Sequence, residues 1–166
     1  METIYNRRSI RKYTEQAVSD EVLCELVRAG MSAPSAGNEQ PWEYVIITDR
    51  ALLDEIPSIH PHSKMLQQAP AAILICGDLK REVYEGYWVQ DCSAATQNML
   101  LEIVDRGLGG VWLGVYPIKE RVMALRKLLN IPEHVVPFAL ISLGYPAEAK
   151  PPKGEYDEQR VHRDRW

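Results

Sequence analysis

An α+β or three-layer domain around one modest sheet is the fold this sequence predicts, and three observations carry that prediction. Helical and strand patterns follow one another in the rough order α-α-β-α-β-α-β-α-β. Residues 70–77 form a continuous apolar run with β-branched members, the pattern of a strand covered on both faces. Residues 84–106 form the longest helical pattern, apolar or small nearly all round, which places it centrally or at a subunit interface.

Composition narrows the class. A chain of 166 residues suffices for one domain with a real core, expected to span 1–166. Hydrophobic residues at 46% and charged residues at 25% are ordinary for a soluble globular protein. A net charge of -4 argues against general nucleic-acid binding, which needs a broad basic face. No apolar stretch is long enough to span a bilayer, and no long apolar run follows the N-terminal charges as in a signal peptide. Cys24, Cys76 and Cys92 show neither a disulfide framework nor metal spacing. Each lies in an apolar run, so buried free thiols and a reducing cytoplasm are expected.

The elements follow in order. Residues 2–6 read as one or two helical turns, and 14–18 as a polar connector. Ser19 is a good N-cap, with Asp20 and Glu21 complementing the dipole of the helix that follows. Val22, Leu23, Leu26, Val27 and Gly30 recur at helical spacing, and Pro34 ends that helix near residue 31 or 32. Residues 42–48 are β-branched and aromatic, a strand. Residues 50–56 read as a short helix and 57–68 as irregular. His60 and His62 flank Pro61; no carboxylate or Cys stands beside them, so a solvent-exposed loop is expected rather than a metal site.

After the 84–106 helix, Gly107 is the expected C′ residue. Residues 108–115 form a glycine-punctuated strand without the spacing of a dinucleotide fold; its Gly114 can admit a flat ring close to the backbone. Residues 118–129 read as an amphipathic helix and 135–143 as a strand, with Pro137 marking an edge or the strand's first part. Residues 147–166 form a charged, Trp-ended tail that would fray unless docked on a partner subunit or on an anionic site.

Two stretches carry candidate chemistry. Arg7-Arg8-Ser9-Ile10-Arg11 sets three guanidinium groups and a hydroxyl in five residues, either a phosphate clamp or a solvated basic patch. Arg7, Ser9 and Arg11 share a side if the segment is extended. Residues 33–42 combine small residues with Asn38 and Gln40, whose amides can read both edges of a heterocycle; the alternative is an ordinary turn-rich connection.

Taken in order, Arg7 to Tyr13, Ala33-Pro34-Ser35 running to Gln40-Pro41-Trp42, Asp91 to Leu101, Gly107 to Gly114, and Leu143 to Glu148 before an Arg-rich tail resemble the nitroreductase family of FMN-dependent flavoproteins, in a short member. The resemblance implies an α+β fold with a central, mainly antiparallel sheet flanked by helices. It also implies an intertwined homodimer whose two FMN sites are each built by both subunits. Carried onto this sequence, Arg7, Arg8 and Ser9 would hold the FMN phosphate, helped by Arg160 from the tail. Arg11 would lie near the N1/O2 edge of the isoalloxazine, where it would stabilise the charge of the reduced ring. Pro34, Ser35, Asn38 and Gln40 would come from the other subunit to line the ring and ribityl chain. Leu113 and Gly114 would offer backbone groups near N5.

The implied activity is a ping-pong cycle in which NAD(P)H gives a hydride to FMN N5 and a nitroaromatic, quinone or similar small acceptor takes the electrons. The flavin carries that chemistry, so no side chain is assigned as catalytic and no metal is expected. A different flavin reaction, such as dehalogenation, dehydrogenation or flavin fragmentation, or a non-enzymatic flavin-binding or scaffold dimer, are the alternatives.

Overall fold

The computed structural model of the chain describes residues 2–166. It contains α1 (Glu2–Asn6), α2 (Asp20–Met31), β1 (Trp42–Ile47), α3 (Arg50–Ile59), β2 (Ala71–Asp78), α4 (Trp88–Asp105), β3 (Gly109–Gly114), α5 (Lys119–Leu128) and β4 (Val135–Gly144). The four strands form one sheet in the order β1-β2-β4-β3, antiparallel throughout.

Alternation along β2 builds the layers. Successive side chains of a strand point to opposite faces. Ile73 and Ile75 pack with Leu23 and Leu26 of α2 and with Met99 and Ile103 of α4. Ala72, Leu74 and Cys76 pack on the other face with Leu53 and Ile56 of α3 and Leu125 of α5. The sheet is therefore covered on both sides, and that is why an antiparallel strand reads as a continuous apolar run.

Several local expectations hold. Ser19 Oγ accepts a hydrogen bond from the Val22 N–H at 3.4 Å, and α2 ends at Met31. Gly107, at φ +71°, follows the end of α4, where its N–H bonds to the Val104 carbonyl and the Leu108 N–H to the Ile103 carbonyl. Pro137 lies in the first part of β4, which is an interior strand and not an edge. The last β3–β4 pair is Gly114 with Ala139, so only β2 runs beside Pro137.

Three expectations are corrected. The third helix does not stop at residue 56 but passes through Pro57 to Ile59. Proline forfeits one backbone bond there, while buried Leu53 and Ile56 hold the helix to the sheet and His60 N–H closes the last turn on the Ile56 carbonyl. The long helix begins at Trp88, not at residue 84, because Gly86 sits at φ +86°, outside helical geometry. Cys24 is exposed, since it lies off the Leu23–Leu26 stripe of α2; Cys76 and Cys92 are buried as expected. Burial pushes the Cys76 thiol up to about 12, so it is a poor nucleophile at neutral pH.

The Arg segment runs along the free edge of β3. Ser9 forms a parallel bridge with Gly110, and the Ile10 N–H donates to the Gly110 carbonyl. Residues 147–153 return over this segment: the Ala147 N–H bonds to the Lys12 carbonyl and the Lys153 N–H to the Tyr5 carbonyl. From residue 151 onward every side chain is exposed. Among the described residues, no helix is long and apolar enough to cross a membrane.

Candidate functional site

At the start of β3 the segment following α1 concentrates positive charge. Arg7 and Arg8 are half-buried and Arg11 is exposed. Arg8 donates to the Pro151 carbonyl, and Lys150 Nζ to the Ser9 carbonyl. Glu148 is the one carboxylate bound there among the described residues: its Oε1 accepts from the Arg11 N–H at 2.6 Å and lies 3.4 Å from Lys150 Nζ. The Arg11 N–H is the main cause holding the Glu148 carboxyl below its usual range, with Lys150 assisting and burial opposing. No carboxylate among the described residues lies within ion-pair distance of Arg7. A half-buried guanidinium without a counter-ion, beside Arg8 and Ser9, suits an external anion.

At the other end of β3 the chain leaves open ground. Leu113 is buried, whereas Gly114 is exposed, and a Cβ added to it would meet nothing within 4 Å. Four residue steps along the strand take Gly110, beside Ser9, to Gly114, a span of about 13 Å at about 3.3 Å per step. The strand edge thus runs from a cationic cluster to a surface that a flat ring can approach. The Gly114 carbonyl faces inward, where it accepts from His60 Nε2 at 2.8 Å and from Arg121 at 2.8 Å.

The small-residue loop lies elsewhere. Asn38 and Gln40 are exposed at φ +57° and +46°, and Gly37 at +53° makes the tight turn just before them. Pro34 is exposed and Ser35 half-buried; Ser35 Oγ accepts from the Gln40 N–H at 3.0 Å, and Gln40 Nε2 donates to Asn38 Oδ1 at 3.1 Å. The loop leads into Trp42, which pairs with Gly77 near the start of β4, whereas the Arg segment lies beside Gly110, which pairs with Leu143 near the end of β4. β1 and β3 are also the two opposite edges of the sheet. Within one chain, therefore, the structure brings Arg7, Arg8, Ser9 and Arg11 together but holds Pro34, Ser35, Asn38 and Gln40 at the diagonally opposite corner.

The nitroreductase family's sequence model matches residues 4–60 and 58–145. The chain belongs to the nitroreductase family. It is 46% identical over 166 residues to a Methanothermobacter thermautotrophicus protein provisionally named NADH dehydrogenase/NAD(P)H nitroreductase, covering 100% of this chain and 87% of that one. A crystal structure from Parabacteroides distasonis, with the same provisional name, superposes with a TM-score of 0.95 at 43% identity over 99% of this chain and 97% of the other. A provisional nitroreductase from Desulfovibrio desulfuricans, solved in complex with FMN, gives a TM-score of 0.85 at 30% identity over 99% of this chain and 96% of its own.

In this nitroreductase-family chain, no side-chain hydrogen bond or ion pair among the described residues joins Arg160 to the Arg segment. Arg160 is exposed and ion-paired to Asp157 at 2.9 Å, lining an open cleft of about 870 Å³ with Tyr5, Lys153 and Tyr156. Among the described residues, no group of three or more His, Cys, Asp or Glu is arranged to hold a metal.

His60 corrects the sequence reading, which placed it in an exposed loop: it is only 1% exposed. Its Nδ1 accepts from the His62 N–H at 3.3 Å, which leaves the proton on Nε2 to donate to Gly114. Only the neutral ring satisfies both bonds. Burial pushes its pKa down, the Gly114 bond opposes this, and the Arg121 guanidinium adds to the depression. An unfolded His takes up its proton near pH ~6.5, while folded His60 resists. The unfolded state therefore binds more protons below that value, and stability falls as the pH drops through it. A thermal melt series across that range should show the decline in the wild type and a flatter profile in His60→Gln.

Proposed function

We propose that this chain is an FMN-dependent oxidoreductase working with NAD(P)H, active as a homodimer whose subunits each supply half of both cofactor sites. The observation that carries the reading is the edge of β3, with its anion-ready Arg7, Arg8 and Ser9 at one end and open Gly114 at the other. That spacing suits a phosphate joined to a flat ring by an extended linker. Bound FMN would supply the chemistry, accepting a hydride at N5 from NAD(P)H and passing the electrons to a nitroaromatic, quinone or similar small acceptor.

In this reading, Arg7, Arg8 and Ser9 bind the phosphate, with Arg160 joining if the tail swings back. Arg11 faces the pyrimidine edge of the ring and favours negative charge there. Leu113 and Gly114 flank the ring with backbone. Pro34, Ser35, Asn38 and Gln40 complete the site from the other subunit, a reading that their place at the opposite corner of the sheet from the Arg segment supports. The family names of the relatives, one of them solved with FMN and one named for NAD(P)H, support the cofactor and the donor.

The deciding experiment is an anaerobic absorbance spectrum of FMN-loaded protein before and after NADH or NADPH. Bleaching of a bound flavin is expected; a protein that takes up no FMN would overturn the proposal. Gly114→Val separates cofactor placement from folding. The fold has room for the side chain, so stability should change by no more than about 0.5 kcal/mol. The new methyl groups would stand where the ring approaches, so FMN affinity should fall by about tenfold or more, about 1.4 kcal/mol, in a fluorescence-quenching titration.

A further inference from the structure

Two buried oxygens, Glu39 Oε1 and Asp91 Oδ2, have no conventional hydrogen-bond partner. They belong to carboxyl groups within hydrogen-bonding reach of each other. The other oxygen of each is occupied. Glu39 Oε2 accepts from the N–H groups of Val83 at 2.6 Å and Tyr84 at 3.1 Å. Asp91 Oδ1 accepts from the Ala36 N–H at 3.1 Å. Ionised carboxylates only accept, so a bond between the two orphaned oxygens needs one proton. With that proton every oxygen of the pair is satisfied; without it two negative charges face each other.

The pair joins three segments. Glu39 lies in the small-residue loop, Asp91 in the first turn of α4, and Val83 and Tyr84 in the turn before α4. The Tyr84 ring packs on Gly37, where a Cβ would come within 2.4 Å of it. Asn38 and Gln40, both at positive φ, lie on either side of Glu39. Non-glycine residues keep that geometry only when the surroundings enforce it.

We propose that Asp91 and Glu39 are positioning residues of the cofactor loop, sharing a single proton that fastens residues 36–40 to residues 83–87 and so holds Asn38 and Gln40 for the flavin. The assignment of Asn38 and Gln40 to the flavin rests on the function proposed above; the shared proton does not. Asp91 carries the proton. It is 4% exposed, and burial is the main cause raising its pKa, with Glu39 and Glu82 adding to the rise. At Glu39 burial also pushes upward, but the Val83, Tyr84 and Asp91 bonds outweigh it and hold the carboxyl below its usual range. The other titratable groups facing the pair are Glu82, itself bound to the Gly86 N–H, and Cys92, whose thiol is kept neutral because burial pushes its pKa well up. No Lys, Arg or His among the described residues forms an ion pair with Asp91 or Glu39, so nothing neutralises a second charge. A group whose folded pKa is raised contributes stability at low pH and loses it as the pH rises through that pKa.

Amide substitutions test the proton count. In Asp91→Asn the amide oxygen keeps the Ala36 bond and the amide N–H replaces the shared proton. In Glu39→Gln the amide oxygen keeps the Val83 and Tyr84 bonds and the N–H reaches an ionised Asp91. Either single change preserves the latch and removes its titration. The double change sets N–H against N–H, or costs one of the backbone bonds.

Hydrogen-exchange protection at Ala36, Val83 and Tyr84, corrected for intrinsic exchange, reads this in flavin-free protein. Wild-type protection should fall about tenfold or more as the pair ionises on raising the pH from about 5 to about 9. Both single variants should stay protected across that range, and the double variant should be unprotected throughout. A flat wild-type profile, or a double variant as protected as the singles, overturns the shared proton. Because the wild-type titration needs no variant, a misfolded double mutant does not remove the test. FMN affinity should follow the same order. Protection that follows it while affinity stays constant overturns the positioning role. Protection that follows it in a protein binding no FMN overturns the proposed function and the role with it, and leaves the shared proton standing.

Discussion

Arg7→Ala is expected to weaken FMN binding by about 1.5–3 kcal/mol, the range for a hydrogen bond to a charged group, or roughly 10- to 150-fold in Kd. The guanidinium has no counter-ion among the described residues, so its removal leaves no carboxylate stranded and should spare the fold. Arg8 differs, because it also ties the tail through the Pro151 carbonyl. Arg7→Lys should recover part of the loss, since an ammonium keeps the charge but not the planar fork. Fluorescence-quenching titrations with FMN and with riboflavin, which lacks the phosphate, make the assignment specific. Affinity for FMN should drop and affinity for riboflavin should not. Equal losses for both ligands would move Arg7 from the phosphate to the ring; no loss for either would move the phosphate site off this residue.

Leu74→Ala should cost about 2–5 kcal/mol of folding stability. Leu74 is fully buried in β2, paired with Val45 of β1 and Leu140 of β4. It projects into the layer formed by Leu53 and Ile56 of α3 and Leu125 of α5. A truncated side chain leaves a void that two helices and a three-strand ladder cannot jointly collapse around. Against a total of about 5–15 kcal/mol for a typical domain, that loss is a large share. In urea the midpoint should shift markedly with little change in slope. Ile46→Ala, on an edge strand and 39% exposed, is the control and should cost about 1 kcal/mol or less. Similar losses at both positions would contradict the layer assignment.

Much of this molecule was legible from neighbours in the chain. Ser19 caps its helix, Gly107 ends α4, and the apolar run that became β2 is covered on both faces, because caps and periodicity depend on residues a few positions apart. The Arg7–Arg11 cluster was legible for the same reason: five consecutive residues stay close together whatever lies beyond them. The ordered motifs likewise sufficed to identify the family, which the family match then showed.

Other features were decided only by packing. His60 reads as a loop residue because its partner, the Gly114 carbonyl, is 54 positions away. Pro57 reads as a stop because nothing local shows Leu53 and Ile56 held under the sheet. Glu39 and Asp91 lie far apart in the chain, and nothing local pairs them; their shared proton exists only because α4, the small-residue loop and the turn before α4 converge and exclude water from two facing oxygens. The same holds for the two halves of the candidate site. Their residue types come from the sequence, but their separation at opposite corners follows from the strand order β1-β2-β4-β3. Strand order reflects which faces must be buried together, a property of the whole chain and not of any stretch of it.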